Sequence, residues 1–367
     1  MTEGVDSGFP GAPAALDNAS RSRAAPAARP AERLTDLALP LARYRLTARF
    51  SSELRLPDYA GSLLRGVFGA ALRRSACMTG LPDCRSCSLW RTCPYPALFE
   101  TPPRQTQLAQ RFSQVPNPYV IEPPAAGLRR VPAGEPLVWH LLLFGADTLR
   151  QLPLVLHAWQ RSLRHGWGPD VARAQGELLA VEAVAADGAA QSAWDAAAGR
   201  VLPHEAAWRL PPPEPCSALT LHLHTPLRLQ HEGRALGVRE LSPRVLVAHL
   251  LRRVRLMLEL HLGVPAPPFD LPALLALADT LRDDRSGLRW HDWVRYSSRQ
   301  QQEMTLGGVV GPWRLEGDLG PLLPWLQLGQ WLHLGKNATM GLGGYGLDAE
   351  IAPPASASTP IQSTCDR

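Results

Sequence analysis

The chain has 367 residues, a formal net charge of +5 and 45% hydrophobic residues, a length that suits about two domains, each able to bury its own core. Its best apolar stretches, around PLVWHLLLFGA and LPALLALADTL, stop after about eleven residues, short of the roughly 18 that argue for a membrane helix. The modest basic excess permits an anionic partner such as nucleic acid without establishing one.

Residues 1–38 carry early acids and no continuous apolar run, so they fail as a secretory signal and read as a disordered leader. The expected location is therefore cytoplasmic, with no membrane partner. Ordered structure is expected from ARYRLTARF, where Tyr44, Leu46 and Ala48 alternate with Arg45 and Arg49 as in a half-buried strand. PDYAGSLLRGVFGAALRR follows as a helix with Pro57 and Asp58 as its start signal and Leu64, Val67, Phe68, Ala71 and Leu72 at helical spacing. Gly61, Gly66 and Gly69 lower its helix propensity by about 1 kcal/mol each, which points to close packing or close approach of a ligand. After a proline-rich passage from Pro94 to Pro136, PLVWHLLLFG reads as a buried strand, TLRQLPLVLHAWQRSLRHG as a helix and ELLAVEAVAA as a strand.

The proline-rich RLPPPEPC at 209–216 marks a domain boundary, giving a first domain over 39–210 and a second over 211–353. In the second, ALTLHLHTPLRL alternates as a strand, and SPRVLVAHLLRRVRLMLELHLG is a long amphipathic helix capped by Ser242. LPALLALADTL is a further helix, WVRYSSRQ and LGGVVGPWRLEG are strand-like, GPLLPWLQLGQWLHLG is a helix ending at Gly335, and YGLDAEI is the last strand. Residues 354–367 read as a disordered tail. The fold class expected is α+β, two domains each built on a split βαβ plan.

Cys77, Cys84, Cys87 and Cys93 fall within CMTGLPDCRSCSLWRTC, a C-x6-C-x2-C-x5-C pattern set in the first domain between 77 and 96. Four thiolates can close a tetrahedral structural zinc site, and an iron–sulfur cluster is the second metal reading. Buried free thiols or disulfides are the alternatives.

The segment HLGKNATMGLGGYG holds Gly335, Gly341, Gly343, Gly344 and Gly346, and its Lys336 is the only lysine in the chain. Glycine lets a ligand approach main-chain N–H groups, so this loop reads as an anion cradle, with Lys336, Asn337 and Thr339 as hydrogen-bond donors to phosphate. It lacks the Gly-Lys-Ser/Thr sequence that leads into the helix of a nucleotide-binding P-loop.

LPDYAGSLLRGVFGAALRR with the cysteine segment and CPYPALFE, then RYSSRQQQEMTLGGVVG and GDLGPLLPWLQLGQWLHLGKNATMGLGGYGL, resemble the CRISPR-associated repeat-processing endoribonucleases of the RAMP superfamily over most of residues 40–351. The resemblance implies two tandem ferredoxin-like (RRM-like, βαββαβ) domains with a cysteine-rich insertion in the first. It also implies a glycine-rich loop of the form G-φ-G-x5-G-φ-G that contacts RNA. Gly335, Lys336, Gly341, Leu342 and Gly343 fit the right-hand part of that pattern, and His333 stands where its first glycine would be.

The implied activity is cleavage of precursor CRISPR RNA within each repeat, without metal, by attack of a ribose 2′-OH on the adjacent phosphate. That reaction needs a base, an acid and cations around the phosphorane. Relatives carry a catalytic histidine in or just after the first helix, whereas the first histidine here is His140. The substitutes are His333, first in rank because its neighbours are the best phosphate donors, then Tyr59 and Arg65 in the first helix, with His291 as a further alternative. His222 and His224 share one strand face and read as RNA-facing surface. Arg252, Arg253, Arg295 and Arg299 are candidate RNA contacts, arginine suiting both phosphate and exposed bases. Most of the eleven tryptophans, Trp325 and Trp331 among them, read as core.

Three functions compete. The first is an endoribonuclease that cuts repeat RNA into guide RNA for antiviral defence. The second is a catalytically silent RAMP-type subunit that holds guide RNA beside other subunits of a CRISPR effector complex; the absent early histidine speaks for it. The third is a redox or iron–sulfur protein built on the cysteines.

Overall fold

The computed structural model describes residues 38–102, 115–125, 127–128, 130–168, 173–210, 214–262, 270–297, 302–305 and 307–351. The expected leader and tail lie outside the described residues, apart from Ala38 at the leader's end.

The first half runs β1 (Leu41–Phe50), α1 (Gly61–Ala76), α2 (Pro94–Phe99), β2 (Tyr119–Glu122), β3 (Pro136–Phe144), α3 (Leu152–His165) and β4 (Gly176–Val184). Its antiparallel sheet has the order β2-β3-β1-β4, extended by the short strand Ala190–Ser192. β1 is central because of its alternation. Tyr44, Leu46, Ala48 and Phe50 are buried, while on the other face Arg43, Arg45 and Arg49 pair with Glu122, Glu182 and Glu177 of neighbouring strands. α1 and α3 cover the apolar face through Leu64, Phe68 and Leu72 and through Val155, Leu156, Trp159 and Leu163.

The second half repeats the plan with β5 (Cys216–Leu227), α4 (Pro243–Met257), α5 (Leu271–Thr280), β6 (Arg282–Asp284), β7 (Arg289–His291), β8 (Gly308–Glu316), α6 (Leu323–Leu332) and β9 (Tyr345–Ile351). The order β6-β8-β5-β9, with β7 also on β8, is that of the first sheet with β5 in the place of β1. Both halves thus have the βαββαβ connectivity of a ferredoxin-like unit. Ser242 caps α4 by accepting from Val245 N at 3.3 Å.

Some elements differ from the sequence reading. α1 begins at Gly61, after Pro57 and Asp58, because its first turn lies against the glycine segment: a Cβ at Gly61 would collide with Met340 O. The helix expected over 148–166 is split by Pro153, leaving a short helix Ala146–Arg150 before α3. The expected run 242–263 is α-helical only to Met257 and continues as a π-turn over Leu258–Leu262. β2 is a strand inside the proline-rich passage.

The halves share a core. Leu39, Leu41, Val120, Leu142, Phe144, Trp208 and Leu210 from the first pack with the strand and helix residues of the second. That shared face brings the 333–346 segment against β2 and α1. Among the described residues, no helix is long and apolar enough to cross a membrane.

Candidate active site and nucleic-acid interface

The 333–346 segment separates two concavities. On one side lies a groove of about 450 Å³. α1 contributes Arg65, β5 contributes Arg228 at its end, α4 contributes His249, Arg252 and Arg253, and the segment contributes Gly335 through Met340. No acid lines it. Cations gathered in one groove make a seat for a polyanion. Arg253 is anchored by Nη2 donating to Leu332 O at 2.9 Å, and burial pulls its guanidinium down to about 10. Its Nε and that of Arg65 are buried donors for which no hydrogen-bond partner is found among the described residues. Arg65 also lies over the Phe99 ring, 5.2 Å from its centroid. Burial, then the charge of Arg252, lowers the His249 imidazole from its ordinary value.

Part of the cradle of main-chain amides expected of the glycine loop is closed. The amides of Lys336, Met340, Gly341, Gly343 and Gly344 are bonded internally, to Arg228 O, Asn337 O, Ala338 O, Pro226 O and Thr225 Oγ1. Gly335, Gly341 and Gly343 have positive φ, and their missing Cβ atoms make room for Arg228, Ile121 and Leu334 backbone. Gly341 and Gly343 are buried. These glycines serve packing, and of the segment's side chains Lys336 is exposed while Asn337 and Thr339 are half-buried in the groove.

On the other side lies an interdomain cavity of about 650 Å³. Arg43, Tyr59 and Glu122 reach it from the first half, and His224, Thr225, Gln327, Trp331 and His333 from the second. His333 follows α6 with φ 53°, a positive value at a non-glycine residue. Its Nδ1 lies 3.3 Å from Leu342 O and its Nε2 lies 3.6 Å from Glu122 Oε1. Glu122 Oε2 accepts from Arg43 Nε at 2.9 Å and Nη2 at 2.5 Å. Burial would raise the Glu122 carboxyl, but His333 and then Arg43 outweigh it and hold the group at about 2. With Nδ1 set against Leu342 O, Nε2 is the ring nitrogen that faces the Glu122 carboxylate. His140, 3.9 Å from Glu122, is lowered to about 4 by burial and Arg43 and adds no charge at neutral pH.

Tyr59 has a different part from the one expected. Its hydroxyl donates to Met340 O and its ring stacks on Trp293, with centroids 4.2 Å apart. Burial, then Glu122, pushes the phenol far above its ordinary value, so Tyr59 ties the loop to the first half and does not exchange protons. Arg65 stands in the basic groove, away from His333. Trp325 is core, but Trp331 is half-buried and walls the cavity.

Residues 221–345 match the family described as CRISPR-associated endoribonuclease Cas6. Over that stretch the chain is similar to Cas6. Residues 39–206 match a family described as an N-terminal domain, and no curated protein matches. Among solved structures, a partial Cas6-RT-Cas1–Cas2 complex is 14% identical with a TM-score of 0.49, over 87% of this chain and 47% of that one. This chain thus spans about half the length of that structure. Thermus thermophilus Cas6 is 16% identical with a TM-score of 0.47, over 85% of this chain and 99% of its own. A RAMP protein binding different RNA substrates is 10% identical with a TM-score of 0.42, over 84% and 99%.

Cys77, Cys84, Cys87 and Cys93 are free thiols lining one cavity of about 20 Å³ between α1 and α2. The Gly80 amide donates to Cys77 Sγ at 3.3 Å and, as the main cause, lowers that thiol. Among the described residues no three His, Cys, Asp or Glu side chains are gathered closely enough to hold a metal ion as they stand. Arg295 sits on the strand Val294–Ser297, paired with Gln302–Thr305, and Arg299 lies outside the described residues. His291 is on β7 with its ring edge-on to Trp293. Sequence reasoning missed Glu122, Arg43, Arg228 and His249. The one signal for Glu122 was the apolar triplet before it in YVIE, set among prolines.

Proposed function

We propose that this protein binds CRISPR repeat RNA along the basic groove and cleaves it to guide RNA, without metal, by 2′-OH attack. The observation that carries the reading is the groove itself, in which Arg65 of the first half meets Arg252, Arg253 and Lys336 of the second. Lys336, Asn337, Thr339 and Arg252 contact phosphates there, and Gly335 leaves room beside them. His333, held by Glu122 across the domain interface, is the proton donor to the leaving 5′-oxygen. The test is incubation of purified protein with a repeat transcript in the presence of chelator. A 2′,3′-cyclic phosphate end is expected, together with complete protection by a 2′-deoxy substitution at the cut site. Cleavage of the deoxy strand would refute the mechanism.

A second reading, a silent subunit that holds guide RNA within an effector complex, is favoured by one observation: the His333 side chain is only 7% exposed. Tight, salt-dependent binding with no cleavage would establish it.

The four cysteines suit a structural zinc, whose binding would draw together thiols that already share a cavity. An iron–sulfur cluster is the alternative ligand. A colourless protein with one zinc per chain decides between them.

A further inference from the structure

Gly344 and Gly346 stand two residues apart, around the start of β9, so the missing side chains of both fall on one face of the chain. An imidazole occupies the space over each. A Cβ at Gly344 would lie 2.7 Å from His333 Cε1, and one at Gly346 would lie 2.9 Å from His224 Nε2. The pair of glycines therefore seats His333 and His224 next to each other on the wall of the interdomain cavity, which both residues line. His224 is fixed at its backbone, with its N–H donating to Gly344 O at 3.1 Å. Its side chain is exposed on the cavity side, and no hydrogen bond from its ring is found among the described residues. His222, whose ring is 6.4 Å away and nearly parallel, does not line the cavity.

We propose that His224 is a second catalytic residue, the general base that takes the proton of the attacking 2′-hydroxyl while His333 serves as the general acid. The proposal rests on the cleavage reading above. In the step, the 2′-O–H proton passes to His224 Nε2 as the 2′-oxygen bonds to phosphorus. The bond from phosphorus to the 5′-oxygen breaks, and that oxygen takes the proton of His333 Nε2. The products are a 2′,3′-cyclic phosphate and a 5′-hydroxyl, with His224 left protonated and His333 neutral; exchange with water resets both. The two rings are differentiated by their neighbours. His333 faces the Glu122 carboxylate, whereas His224 has His222 and His333 beside it. Partial burial first, then those two histidines, lower the His224 imidazole from its ordinary value. Unlike surroundings at two neighbouring imidazoles are what an acid–base pair needs.

The experiment compares wild type, His224→Ala and His224→Asn under single-turnover conditions with saturating repeat transcript across pH 5 to 9. Both variants are expected to lose a factor of about 10² to 10⁴ in rate while binding the transcript within about threefold of wild type. They are also expected to lose the acidic limb of the pH profile, and His224→Ala to regain part of its rate on addition of imidazole. A residue that only shapes the cavity would not give that limb change or that rescue. Wild-type rates in both variants would overturn the role of His224 and leave the cleavage reading standing. A wild-type protein that binds the transcript and never cuts it would overturn both.

Discussion

Replacing Glu122 with Gln keeps the shape of the side chain and removes the charge that joins β1, β2 and the end of α6. In the folded protein the carboxyl is held at about 2 against an ordinary 4.5. A displacement of that size corresponds to about 3 kcal/mol of stabilisation. Because the folded value lies below the unfolded one, the contribution is complete above about 4.5 and is lost as pH falls towards about 2. The variant leaves Arg43 and His333 facing an amide, an arrangement whose cost for a buried pair is of the same order, about 3 to 5 kcal/mol. Urea denaturation of both proteins should show Glu122→Gln less stable by about 3 kcal/mol at pH 7, with the difference narrowing steadily below pH 4.5. Equal stability at pH 7, or a gap that does not change with pH, would refute the ionic account of this junction.

Other expectations follow from the same geometry. His333→Ala should reduce cleavage of repeat transcript by about 10² to 10⁴ with RNA affinity within about threefold, measured by single-turnover kinetics and anisotropy. An equal loss of both would make His333 a structural residue. Gly344→Ala places a Cβ 2.7 Å from the His333 ring and should cost about 1 to 3 kcal/mol in chemical denaturation; a neutral result would mean that the ring has room to move. Metal analysis should find one zinc per chain. Stripping it with a strong chelator should lower the melting temperature without slowing cleavage, whereas cleavage that needs added metal would contradict the mechanism.

Elements with strong periodicity were legible in the sequence. β1, β5 and β9 could be read from alternation, and α4 from an apolar stripe begun by a serine cap. β2 was not legible, because four residues between Pro118 and Pro123 are too few to show a period. Missing it meant missing Glu122, whose partners Arg43 and His333 are remote in sequence and meet it only through the shared core. The chemistry of the 333–346 segment was read for a plausible but different physical reason. Many glycines suggested bare amides turned towards a ligand, yet the amides of Gly341, Gly343 and Gly344 are bonded internally, and the glycines admit backbone and two imidazole rings. Lys336 was conspicuous as the single lysine, and its place beside Arg252 and Arg253 depends on how α4 packs against the segment. Arg228 and His249 carried no signal of their own, since one basic residue at a strand end or on a helix is ordinarily solvated surface.

The central claim is that cations from both halves converge on one RNA backbone. Its most direct test is the salt dependence of repeat-RNA binding by wild type and by the triple variant Arg65→Ala, Arg252→Ala, Lys336→Ala. With each lost phosphate contact on a single strand worth about 0.7 in the slope of log affinity against log salt, the triple variant should bind far more weakly at low salt, with a slope shallower by about 2. An unchanged affinity and an unchanged slope would contradict the account.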